Sequence, residues 1–204
     1  MSSKRPYVSP LRESSAARTR ELILGRATAL FAERGYGRVA VADIAAAAGV
    51  APKTVFASVG SKGDILNRIV DQGVAASGYR QATEEMLGMR TPEAVLSALA
   101  RGTRAGNESQ YAVHEAIRKA LPVHEDGEAL WDRAMAAYRD ALRAVATHLH
   151  ALDPSLSCPV EETADLLWYW FGPPSWHTLV VESGWTWERA EQVLKRTAVL
   201  TLFG

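Results

Sequence analysis

Four side chains in a run of six residues could read the edge of a nucleic-acid base. Lys53, Thr54, Ala57 and Ser58 fall where a short helix would turn them outward, and Lys62 follows at the start of the next helix. Lysine can bond guanine or phosphate, and threonine offers a hydroxyl together with a methyl for thymine. A short helix with a basic, small and hydroxylic exposed face suits the major groove of DNA. Val55, Phe56 and Val59 are expected on its inward side.

A second group could hold a small molecule. Tyr111, His114, Trp131, Tyr138, Trp168 and Phe171 lie on the middle segments. Aromatic bodies with a few polar tips suit a pocket for a semi-polar organic ligand, and they suit an ordinary core as well. The His114 ring could bond a ligand oxygen or simply pack. Such a pocket should favour a planar or amphipathic molecule over a sugar phosphate, because only Arg118 and Lys119 are near enough to hold a phosphate and both are expected to face water.

Catalytic and metal chemistry find little support. His148 and His150 are two apart, so on a helix they point to different sides and cannot clamp a metal as an i, i+4 pair does. Asp153 and Glu162 complete no ligand spacing. Neither a Gly-x-Ser-x-Gly elbow, a phosphate-binding loop nor a dinucleotide fingerprint is present. No enzyme activity, cofactor or metal is expected. Cys158 is the single cysteine. It leaves no internal disulfide and fits a reducing cytoplasm.

These residues need elements to position them. Val41, Ile44, Ala45 and Ala48 recur at i, i+3, i+4 and i+7, the stripe of one short helix. Gly49 should leave that helix with positive φ, and Pro52 fits the first turn of the next. Ile23, Ala27, Leu30 and Phe31 mark a supporting helix from Thr19 to Arg34. Two short helices meeting at a glycine, braced by a third, form a helix-turn-helix. Ser61 and Asp64 make a capping box for a further helix, expected from Ser61 to the low 80s. Beyond it, helical segments are expected near 92–105, 107–121, 126–151, 159–183 and 186–203, with Gly172-Pro173-Pro174 breaking the fourth of these. The fold class expected is all-α, a three-helix DNA-binding head joined to a larger helical domain.

Charge supports that division. The chain of 204 residues has a formal net charge of zero, yet residues 1–64 carry ten Lys/Arg against five Asp/Glu. A basic head on an acidic body fits nucleic-acid binding, though asymmetry of this size also arises by chance. Residues 1–17 read as a flexible basic arm, with Lys4, Arg5 and Arg12 either reaching the minor groove or merely solvated. The expected domains are then 18–64 for the head and 65–204 for effector binding and dimerisation. No apolar run approaches the ~20 residues of a membrane span.

The run TRELILGRATALFAERGYGRVAVADIAAAAGVAPKTVFASVGSKGDIL resembles the amino-terminal domain of TetR-family transcriptional regulators. The resemblance rests on Leu-Phe-Ala-Glu-Arg-Gly-Tyr, Asp-Ile-Ala, Ala-Gly-Val and Gly-Ser-Lys. It also touches ADLLWYWFGPPSWHTLVVESGWTWERAEQVL near the carboxy terminus. It implies DNA contacts from Pro52, Lys53, Thr54, Phe56, Ala57, Ser58 and Lys62. It further implies a palindromic double-stranded DNA operator, a small organic effector, repression, and a homodimer paired through the last two helices. Trp176, Leu179, Val180, Ala190, Val193, Leu194 and Leu200 are the candidate interface, or else close the monomer core.

The departures from the family pattern matter. Phe56 stands where the family's tyrosine reaches a phosphate with its hydroxyl. Ala51 replaces the usual serine before the reading helix, and Val39 and Ala40 leave the preceding helix without its usual hydroxyl cap. Such a cap is worth about 1 kcal/mol. Several phosphate anchors are therefore absent, which keeps open a second reading: a helical small-molecule-binding or enzymatic protein with a vestigial DNA-binding head.

Overall fold

The computed structural model describes residues 10–204, and all regular structure among them is helical, with no strand. Contacts gather the chain into two units: one reaches to Gln72 and takes in Glu115–Leu130, the other comprises Gly73–His114 and Trp131–Gly204. No single helix is long and apolar enough to cross a membrane.

The first unit is built on α1 (Pro10–Arg34), α2 (Val41–Ala48) and α3 (Pro52–Val59). Helix α1 begins nine residues before the expected Thr19. The stretch after Pro10 contains no helix breaker, and proline is itself tolerated in the first turn. Of the expected arm, residues 1–9, with Lys4 and Arg5, lie outside the described residues, and residues 10–17 belong to α1. Ile23, Ala27 and Phe31 of α1 meet Ile44 and Ala45 of α2 and Val55 and Val59 of α3 in a closed core. A 3-10 turn, Tyr36–Arg38, links α1 to α2.

Helix α2 ends as its sequence requires. Gly49 adopts φ 67° and ψ 30°. The Val50 N–H then reaches back to the Ala45 carbonyl at 3.0 Å, closing the helix end. Helices α2 and α3 stand at 98° to each other, within the range of a helix-turn-helix. At the start of α2, Ala40 cannot cap with its side chain. The Asp43 carboxylate still accepts the Ala40 N–H at 2.8 Å, so half of a capping box survives.

Helix α4 (Lys62–Ala76) starts on the expected box. Asp64 Oδ2 accepts from the Ser61 N–H at 2.8 Å and its hydroxyl at 2.7 Å, while Ser61 Oγ accepts from the Asp64 N–H at 3.2 Å. The helix does not continue to the low 80s. Gly78 takes φ +66°, and a separate α5 (Tyr79–Leu87) begins there.

The second unit packs α5, α6 (Pro92–Ser109), the latter part of α8 (Gly127–Leu152), α9 (Val160–Phe171) and α11 (Trp187–Phe203). Its core holds Leu96 and Leu99 of α6, Leu142, Val145 and Leu149 of α8, Leu167 and Phe171 of α9, and Ala190 and Ala198 of α11. Helix α6 runs through Gly106-Asn107 instead of breaking there. The buried Asn107 donates to the Thr103 carbonyl at 2.8 Å, a bond made within the helix. The break comes at Gln110, before α7 (Tyr111–Ala120).

The expected helix over 159–183 is three pieces: α9, the single turn α10 (Pro173–Trp176) and a π-helical turn, His177–Glu182. Prolines 173 and 174 have no N–H to offer, and Ser175 N bonds Gly172 O at 3.1 Å, so the Phe171 carbonyl loses its helical donor. Two buried side chains replace it: Tyr138 donates its hydroxyl at 2.5 Å and Trp176 its Nε1–H at 3.0 Å.

Candidate DNA-reading face and ligand cavity

Helix α3 presents one strip to solvent. Pro52, Lys53, Phe56 and Ala57 are exposed, Thr54 and Ser58 are half-buried, and Val55 and Val59 are fully inside. Phe56 therefore faces out, 55% exposed, against the inward placement expected from its spacing. Consecutive positions on a helix lie 100° apart. Val55 and Val59 fill the inward stripe at i and i+4, which turns Phe56 away from it.

The carboxy-terminal end of α3 is held by two guanidinium groups that sequence reasoning missed. Arg20 Nε, from α1, donates to the Ser58 carbonyl at 3.3 Å, and Arg68 Nε, from α4, donates to the Val59 carbonyl at 3.1 Å. Cations placed at a helix carboxy terminus satisfy its free carbonyls and complement its dipole. The sequence carries no local sign of either bond, since the partners are 38 and 9 residues apart.

Lys62 sits beside α3 with its ammonium 4.2 Å above the Tyr36 ring. Partial burial there holds its pKa below the ordinary lysine value. Tyr36 in turn packs on Phe31, with ring centroids 5.1 Å apart, and meets His124 edge-on at 5.2 Å. Lys119 closes this side of the unit, donating to the Ala32 carbonyl at the end of α1. Arg118 forms a bidentate pair with the buried Glu115, both contacts at 2.8 Å. Arg118 is outward as expected, whereas Lys119 is turned to the protein.

In the second unit a cavity of about 360 Å³ opens between α5, α6 and α8. Met86, Leu99, Leu142, Val145 and the rings of Tyr79 and Tyr138 form much of its wall. The two tyrosine rings stack in parallel, centroids 4.7 Å apart. Its hydroxyls are mostly committed elsewhere. Ser77 donates to Val74 O at 2.8 Å, Thr83 to Tyr79 O at 2.7 Å, Thr103 to Leu99 O at 2.8 Å, and Tyr138 to Phe171 O at 2.5 Å. The Tyr79 hydroxyl has no hydrogen bond among the described residues, and burial pushes its pKa up to about 12. Glu85 and Arg101, both exposed, lie at the rim.

Of the six aromatic candidates only Tyr138 lines this cavity. Phe171 is fully buried core. Trp168 lies edge-on to Tyr138 at 5.8 Å and carries the Arg139 guanidinium 4.0 Å from its ring. Tyr111 is exposed, and His114 and Trp131 are half-buried away from the cavity wall. The residues missed, Met86, Leu99, Leu142 and Val145, read in sequence as plain core. His148 and His150 point apart as expected, one bonded to Met89 O at 2.9 Å and the other to Thr163 Oγ1 at 3.1 Å. No group of residues able to hold a metal ion occurs among the described residues.

The interface candidates separate by burial. Trp176 and Ala190 are 1% and 0% exposed in the single chain, and Leu194 is 7% exposed. These three close the monomer core and have almost no surface to offer a second copy. Leu179, Val180 and Val193 are half-buried and Leu200 is exposed. Tyr169 on α9, Val181 on the π-helical turn and Phe203 on α11, not among the candidates, add exposed apolar surface. A shallow groove of about 390 Å³ runs here between Trp168, Tyr169, Leu179 and Leu194.

Residues 23–69 match the model of the family described as bacterial regulatory proteins, tetR family. No curated protein matches the chain. Among solved structures, the TetR-family regulator PfmR of Thermus thermophilus is 23% identical, with a TM-score of 0.68 over 91% of this chain and 96% of that one. A regulator from Saccharomonospora viridis in complex with choline is 18% identical, with a TM-score of 0.72 over 91% and 98%. FadR of Bacillus subtilis in complex with stearoyl-CoA is 16% identical, with a TM-score of 0.73 over 89% and 98%. At these identities the likeness establishes the fold. The family match covers the head alone and shows its similarity to the helix-turn-helix domain of tetR-family regulatory proteins.

Proposed function

We propose that this chain, a transcriptional regulator with the amino-terminal domain and fold of the TetR family, is a homodimeric repressor released from a palindromic operator by a small organic effector. The observation that carries the reading is α3. An eight-residue helix set at 98° to its neighbour keeps a solvent-facing strip while both carboxy-terminal carbonyls are held by arginines. Rigid support beneath an unsupported face is what a groove reader needs.

Two copies would place two such helices about 34 Å apart, one turn of DNA. The pairing surface in this reading comprises the outward parts of α9, the π-helical turn and α11, led by Tyr169, Val181 and Leu200. The effector site is the cavity between α5, α6 and α8. Its committed hydroxyls leave an interior that solvates apolar groups, so its ligand has an apolar body and one polar end, met by Tyr79 or the rim charges. The choline and stearoyl-CoA complexes of proteins with this fold support a ligand-binding second unit. Ser77 and Tyr79, which touch the cavity, directly follow the last turn of α4, and Lys62 begins that helix. Ligand strain at one end of α4 would therefore be felt at the other. Couplings of this kind are typically about 1–3 kcal/mol.

Selection from a random duplex library by the full-length protein tests the reading. A palindrome should be enriched, with half-site centres about 10 base pairs apart or a multiple of that, and its affinity should fall steeply with salt. Absence of binding to any duplex at low salt would overturn it in favour of a helical ligand-binding protein with a vestigial head.

A further inference from the structure

Resting on the DNA-reading role just argued, we infer that Phe56 is a specificity-determining residue that reads the C5-methyl group of thymine in each half-site. The exposed strip of α3 is Pro52, Lys53, Phe56 and Ala57. Only Lys53 among them can form a hydrogen bond to a base edge. Thr54 and Ser58, which carry hydroxyls, are half-buried at the margins of the strip. Hydrogen-bond readout of several base pairs would need several outward donors and acceptors, and the fully exposed positions supply one.

What it has instead is apolar area. Phe56 is 55% exposed, held out by Val55 and Val59, which are 0% and 1% exposed beneath it. Lys53, Phe56 and Ala57 stand at i, i+3 and i+4, so ring, methyl and ammonium share one face. The unmodified base edges display a single apolar group in the major groove, the thymine C5-methyl. Phenylalanine and alanine are side chains suited to that contact. Phe56 carries no hydroxyl and so cannot bond a phosphate. The same geometry accepts 5-methylcytosine, which presents its methyl at the corresponding position, and rejects uracil, which has none.

The test uses the full-length protein and the duplex it enriches from a random library. Thymines of each half-site are replaced one at a time by uracil, which removes the methyl and leaves the base-pair hydrogen bonds intact. One replacement per half-site should weaken binding about fifteenfold, because two methyl-sized groups are lost and each is worth about fourfold. Phe56→Ala should bind the thymine and uracil duplexes alike, whereas Phe56→Leu should keep a preference for thymine. At the same position cytosine should bind more weakly than 5-methylcytosine. Far-ultraviolet circular dichroism checks that both variants are folded. If every uracil duplex binds within experimental error of its thymine parent, or Phe56→Ala retains the full thymine preference, the inference is wrong while the regulator stands. If no duplex is enriched at all, the regulator reading and this inference fall together.

Discussion

Two residues show how burial alone changes chemistry. Tyr79 is pushed up to about 12, and Tyr138, enclosed against it, lies well above the ordinary tyrosine value. Both shifts have desolvation as their leading cause, because a phenolate is poorly solvated in an apolar wall. A raised folded-state pKa contributes stability that is intact below pH ~10 and is lost as pH climbs toward the folded value. Burial raises Tyr36 as well, so absorbance titration of the folded protein should show three tyrosines ionising late, above pH ~10, and Tyr79→Phe should remove one of them. If all tyrosines ionise together near pH ~10, the cavity wall is wetter than the structure makes it. Lys62 shows the opposite sign, with burial lowering its pKa over the Tyr36 ring. Lys62→Ala should reduce the salt slope of operator binding by about 2, about 1 for each half-site, and weaken all sequences equally. It should also destabilise the head by about 0.5–1 kcal/mol through the lost ring contact, measurable by urea unfolding. An unchanged slope would mean that this ammonium serves Tyr36 alone.

At the scale of elements, local chemistry was legible and long-range chemistry was not. Gly49 and the Ser61–Asp64 box were readable because each end is decided within four residues. The break before α5 is not legible, because Gly78 sits in a sequence otherwise good for helix. Phe56 was placed inward because the apolar pattern of an eight-residue helix allowed it, and only the packed core showed that Val55 and Val59 already fill that side. The lining of the cavity is not legible in the sequence for a different reason. Sequence can mark Leu99 and Leu142 as buried, but whether they meet each other or an empty volume depends on how α5, α6 and α8 are spaced. The arginines that hold α3 were equally hidden. Arg20→Met keeps the stem and removes the donor at the Ser58 carbonyl. Such a bond is worth about 1 kcal/mol of stability, so the head should be destabilised by about that amount and operator affinity should fall. Because the loss acts through the placement of α3, discrimination between operator and random DNA should shrink with it. Equal weakening of both would make Arg20 a phosphate contact instead.

On the proposed reading the molecule carries a reading head, a pairing surface and an effector cavity, and the first two should fail separately from the third. Tyr169 and Leu200 are 69% and 66% exposed, so glutamates there should leave the monomer folded. Tyr169→Glu with Leu200→Glu should convert a dimer to monomer in sedimentation and abolish operator binding, because a single half-site is weak. A dimer that survives would place the interface elsewhere. The cavity is tested by filling it. Ala141 lines it from α8, and Ala141→Phe should project a ring into it and obstruct the apolar body of a ligand. A ligand at 100 times its dissociation constant stabilises its protein by about 2.7 kcal/mol. Screening compounds that pair an apolar body with one polar end should yield such shifts in the natural protein, and the same compounds should release operator DNA. Ala141→Phe should bind the operator normally, show no shift and ignore the compounds. If release persists in Ala141→Phe, the effector acts at another site. If compounds shift the natural protein without releasing DNA, the cavity binds ligand but is not coupled to α3, and control must reach the head by another route.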